Sequence, residues 1–86
     1  MGRYVGRVRG LMIEVEELLH PIDTSQAHHL IDHGEPPEGL LYLAWAIVEE
    51  DKRIPRRIYD NLLLLLGDFV DPAHLPPDLE AHVRER

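Results

Sequence analysis

The chain has 86 residues, sixteen acidic side chains against nine basic ones, a net charge of −7 with histidine neutral, and no cysteine. That length is one domain with a modest core, and the lack of cysteine excludes a disulfide framework, a cysteine zinc site and a thiol nucleophile. The charge is uneven: Arg3, Arg7 and Arg9 lie in the first ten residues with no acid among them, leaving six bases against all sixteen acids in the rest. So acidic a body repels nucleic acid and anionic membrane and favours cationic partners.

The opening MGRYVGRVRG has no apolar run behind its arginines, so no secretory leader is expected, and Gly6 stands where a myristoylation signal has serine or threonine. A cytoplasmic address is the expectation. Tyr4 to His20 reads as the first helix, with Tyr4, Val8, Leu11, Met12, Val15, Leu18 and Leu19 at three- and four-residue spacing. Gly6 and Gly10 weaken its early turns, so order is expected to begin near Gly10, with residues 1–9 a frayed, solvated basic arm. His20-Pro21 ends the helix, because the residue before proline is pushed out of the helical region.

Asp23 or Thr24 is expected to cap a short second helix running to His33, with Asp23 and Gln26 approximating a capping box. Gly34 suits the left-handed residue that follows its end. The stretch EPPEGLLYLAWAIVEEDKRIP, Glu35 to Pro55, then reads as the central helix. Pro36 and Pro37 fit a first turn, where a missing N–H costs nothing. Glu35 and Glu38 suit the positive end of the helix dipole, and Lys52 and Arg53 the negative end. Leu40, Leu43, Ala44 and Ile47 form one apolar stripe, while Leu41, Trp45 and Val48 form a second, so neighbours are expected on more than one side. The apolar run from Leu40 to Val48 falls well short of the ~20 residues that span a membrane.

Pro55 opens a fourth helix whose face carries Ile58, Leu62, Leu65, Leu66 and Phe69, with Gly67 beginning its end. In the tail, residues 76–86, Leu79 and Val83 are expected to pack back on the bundle from a short helix opened by Pro77, joined by Leu75 from just before it. No run alternates as a strand does. The expected fold is an all-α compact bundle of about four helices with a short helical tail, one domain over residues 1–86.

Little in the chain suggests chemistry. His29 and His33 lie four apart on a helix, as do His28 and Asp32, a spacing that can share a metal. Neither pair is HExxH, and a solvated helix face is the expected outcome, with no metal and no cofactor. Ser25 and Thr24 are the only hydroxyl nucleophile candidates of their types, and both fit a helix N-terminus. Glu49, Glu50 and Asp51 are successive, so they point in different directions and form no acid–base pair. No catalytic residue is assigned, and an enzyme is not expected.

Binding remains. Acids concentrate at the turn holding Asp32, Glu35 and Glu38 and at the far end of the central helix, Glu49, Glu50 and Asp51. The string LIDHGEPPEGLLYLAWAIVEEDKRIP, followed by a leucine-rich helix, resembles the small MafI-type immunity proteins of bacterial polymorphic toxin systems. His33, Gly34 and Glu35 match that family's turn, and Ile54 and Pro55 match its step into the last long helix. The chain departs from the pattern at Pro36-Pro37 and in the tail LPPDLEAHVRER. The resemblance implies an all-α protein that binds and neutralises a cognate toxin, commonly a nuclease. Nucleases hold phosphate in basic clefts, so Glu35, Glu38, Glu49, Glu50 and Asp51 are the expected toxin contacts. The alternative is a small intracellular adaptor or regulatory module, homodimeric through leucines of the run Leu62 to Leu66. A third class, a nucleic-acid binder using the arginines, runs against the net charge.

Overall fold

A computed structural model describes residues 2–84. Four helices follow in order: α1 Gly2–Glu16, α2 Pro21–Asp32, α3 Pro36–Glu49 and α4 Arg56–Leu66. Two 3-10 turns, Pro72–His74 and Leu79–His82, carry the tail back across the bundle. The mostly helical architecture expected from the sequence is the one observed. No helix among the described residues is long and apolar enough to cross a membrane.

The core is built from one stripe of each helix: Val8, Met12 and Val15 of α1, Ala27 and Ile31 of α2, Leu40, Leu43 and Ile47 of α3, and Ile58, Leu62 and Leu66 of α4. From the tail, Leu79 and Val83 are buried and Leu75 packs against the core, the packing expected from the sequence.

Several boundaries differ from those expected. Residues 2–9 are not a frayed arm: α1 is helical from Gly2, past both weak glycines. Tertiary contact outweighs propensity there. The Tyr4 hydroxyl donates to the Leu65 carbonyl at 2.8 Å, its ring packs 4.9 Å from Phe69, and Val8 is fully buried. Burial pushes the Tyr4 phenol above its usual pKa. Phe69 itself lies past the end of α4 and is 61% exposed, so it covers Tyr4 and does not extend the buried face. At its other end α1 stops at Glu16, before His20, because a tight turn with Leu18 N–H donating to the Val15 carbonyl reverses the chain.

Neither Asp23 nor Thr24 caps α2, and no capping box forms. The helix starts at Pro21 with extended His20 before it, φ −64° and ψ 143°, the conformation that proline imposes. Thr24 Oγ1 instead donates back to the Pro21 carbonyl at 3.0 Å. The end of α2 is as expected: Gly34 has φ +83°, and Glu35 N–H donates to the Leu30 carbonyl at 2.9 Å while Gly34 N–H donates to that of Ile31 at 3.2 Å.

The central helix is shorter than its charge pattern suggests. It ends at Glu49, and Lys52 and Arg53 lie beyond it. Ile54–Pro55 then pairs in parallel with Val83–Arg84, a two-residue ladder where no strand was expected. Two residues cannot display alternation; what marks the pair is burial, with Ile54 fully buried and Val83 nearly so. His82 ties the same place together, its Nδ1 2.9 Å from the Lys52 carbonyl. The tail is a 3-10 turn from Leu79, not an α-helix opened by Pro77.

Candidate functional site

The site grows out of the two faces of α3. At 3.6 residues per turn, Gly39, Leu40, Leu43, Ala44, Ala46 and Ile47 fall on one side, and all are buried. Glu38, Leu41, Tyr42, Trp45 and Glu49 fall within an arc of about 100° on the other. The second apolar stripe is therefore only partly enclosed: Leu41 and Val48 are half-buried and Trp45 is 40% exposed, with half-buried Tyr42 beside them.

With Leu30 of α2, this outward face lines an open groove of about 300 Å³, bounded also by Ala46. α2 can lie close because position 39 has no side chain. A Cβ there would stand 2.8 Å from Ile31 Cγ1 and 3.0 Å from the Ala27 carbonyl oxygen. Both large polar-tipped residues in the groove are held. The Trp45 indole N–H donates to the His74 carbonyl at 2.9 Å, and the Tyr42 hydroxyl donates to Asp23 Oδ1 at 3.0 Å. The bond to Asp23, then burial, raises the Tyr42 pKa.

The five acids expected to act together are sorted into different environments. Glu38 and Glu49 are exposed and line the groove, about 16 Å apart along the helix axis. Glu35 precedes α3, is exposed, and makes no side-chain cap. Glu50 follows Leu43, Ala46 and Ile47 at spacings of seven, four and three, so it falls on the core side. Its side chain is only 9% exposed, and both carboxylate oxygens accept the His20 N–H, at 3.1 and 3.2 Å. It thus supplies the N-terminus of α2 with an acceptor and a negative charge at the positive end of that helix's dipole. Burial, then the hydrogen bond with Asp23, raises the Glu50 pKa.

Asp51 is left-handed, φ 55°, and closes α3: its N–H donates to the Val48 carbonyl at 3.1 Å and Lys52 N–H donates to that of Ile47 at 3.0 Å. Its carboxylate accepts from Arg53 at 3.0 Å and lies 3.7 Å from His82 Nδ1.

The histidine and aspartate spacings on α2 serve other contacts. His28 Nε2 is 3.2 Å from Glu16, and Arg9 donates to Asp32 at 2.7 Å, which holds the Asp32 carboxyl below its usual pKa. His29 and His33 pack ring on ring, centroids 4.1 Å apart, with His33 Nδ1 2.9 Å from the His29 carbonyl. Among the described residues no three histidine, cysteine, aspartate or glutamate side chains converge as a metal site.

No protein-family model, curated protein or solved structure matches this chain. The site must be read from its own chemistry. Two features of it were missed in the sequence. Leu41 belongs to the stripe for which neighbours are expected and instead lines the groove, and Glu38 and Glu49 lie eleven residues apart, three turns, a separation that sets them on one face.

Proposed function

We propose that the protein binds and neutralises a cationic protein, as an immunity protein does its cognate bacterial toxin, through a stoichiometric complex at an acidic surface. A basic nuclease domain is the partner that best fits. The observation that supports this is the outward face of α3: a preformed apolar groove with a carboxylate at each end, on a chain of net charge −7. Complementary charge speeds such an encounter and excludes wrong partners. The resemblance of roughly Ala27 to Leu66 to MafI-type immunity proteins points the same way. The reading involves no catalytic step.

The test is capture from the native cell with tagged protein, followed by mass spectrometry and co-expression. The expected result is one basic, toxin-like protein retained in equal stoichiometry, released by salt, and lethal to cells unless this chain is co-expressed. A partner whose toxicity is unchanged by co-expression, or one that is acidic, overturns the proposal.

A second reading rests on a different surface. Leu64 of α4 is 62% exposed, which supports a small interaction module that dimerises through α4. Light scattering separates the two: a stable dimer without any partner, broken by Leu64→Glu, favours the module.

A further inference from the structure

Trp45 and Leu41 sit between Glu38 and Glu49, and among the described residues no lysine, arginine or histidine lines their groove. We propose that this groove takes a cationic polypeptide segment of the partner, one that sets a bulky apolar side chain against Trp45 between two arginine or lysine groups reaching Glu38 and Glu49. The inference rests on the neutralisation reading for the partner's role; the chemistry of the segment follows from the groove.

Charge selects among the possible occupants. A second copy of this chain laid antiparallel would bring Glu38 against the copy's Glu49, and laid parallel would bring each glutamate against its equivalent. Like carboxylates facing across an interface disfavour both arrangements. Anionic lipid and nucleic acid meet the same repulsion.

Size selects further. About 300 Å³ lies at the small end of ligand pockets, suited to one or two large side chains. A guanidinium can also stack on the exposed indole face, and tryptophan is among the residues that most often dominate protein interfaces. The surface is already ordered, because the Trp45 N–H and Tyr42 hydroxyl are held by His74 and Asp23. Binding therefore loses little side-chain entropy.

Trp45 is the only tryptophan, so its emission reports on the groove. The probe is a synthetic helical peptide without tryptophan, carrying arginine at two positions eleven apart and leucine on the same face between them. Its twin has glutamate for both arginines. The expected result is saturable change in Trp45 emission with the arginine peptide, at least tenfold weaker with the twin and at least tenfold weaker for the E38Q/E49Q variant. Equal binding of the two peptides, no saturable change, or an E38Q/E49Q variant that binds like the parent overturns the proposal.

The same variant keeps the two readings apart. If it loses the peptide yet still neutralises a captured toxin, the groove is not the toxin site, while neutralisation stands. If peptide discrimination holds but no captured partner is neutralised, the groove assignment stands and the immunity reading falls.

Discussion

At the start of α3, the Glu35 and Glu38 side chains stand in solvent with no hydrogen-bonding or ionic partner among the described residues. At its far end, Glu50 is 9% exposed and holds the His20 N–H with both oxygens, while Asp51 turns the chain in a left-handed conformation. Composition makes these two clusters look alike. Their positions relative to the core stripe make one available to a partner and the other part of the fold. Glu49 is the residue that crosses the division, lying on the same outward face as Glu38 although its sequence neighbour is buried.

The largest effect is expected beneath the first cluster. Gly39→Ala drives a methyl into Ile31 and the Ala27 carbonyl, and overpacking costs about 1–3 kcal/mol against a helix-propensity gain of about 1. A net loss of up to about 2 kcal/mol should lower Tm by up to roughly 15 °C. A variant as stable as the parent would show that α2 can move away from α3 at little cost.

Next comes the contrast between the clusters themselves. Glu50→Ala removes the acceptor at the start of α2, for a loss of about 1 kcal/mol, as for other lost helix caps. Glu35→Ala and Glu38→Ala should stay within about 0.5 kcal/mol of the parent. Urea unfolding of the three variants measures this directly. Similar losses at all three would remove the distinction drawn between the ends.

The two helix ends offer a smaller comparison of the same kind. α2 closes with Gly34 and α3 with Asp51, both at positive φ and both with the same pair of backbone bonds. Gly34→Ala has open space around the new methyl, so its expected loss of about 1 kcal/mol is backbone strain alone. Asp51→Gly relieves such strain but gives up the exposed pair with Arg53, and should gain about 0.5 kcal/mol or less.

These contrasts also show how much of the molecule the sequence discloses. Helical periodicity and proline placement locate all four helices and most of the core, though not buried Ile54, and they place exposed Phe69 on the core face. Their ends are less legible, because they depend on distant partners: Tyr4 on Leu65, His20 on Glu50, Ile54 on Val83. The burial of Glu50 and the shared face of Glu38 and Glu49 were both present in the spacing. Grouping acids by adjacency concealed them, since adjacent residues on a helix diverge by about 100°. The groove was hidden for another reason. An all-round apolar helix predicts enclosure, and only the fold reveals that one side is left open.

The finest test concerns the proton on Glu50. Its pKa is raised in the fold by burial and by the bond with Asp23, so the folded state binds that proton more tightly than the unfolded chain. The corresponding stabilisation is fully present below the unfolded pKa, about 4.3 for glutamate, and is lost as pH rises through the raised folded value. Glu50→Gln keeps an oxygen for the His20 N–H and offers an amide N–H to Asp23 without a proton to lose. Its stability relative to the parent should therefore be higher at pH 7 and fall towards equality below about pH 4, where the parent's Glu50 is protonated in both states. Parallel Tm curves for the two proteins from pH 3.5 to 7 would mean that Glu50 holds α2 as an ordinary exposed carboxylate. The division between the ends of α3 would then rest on geometry alone.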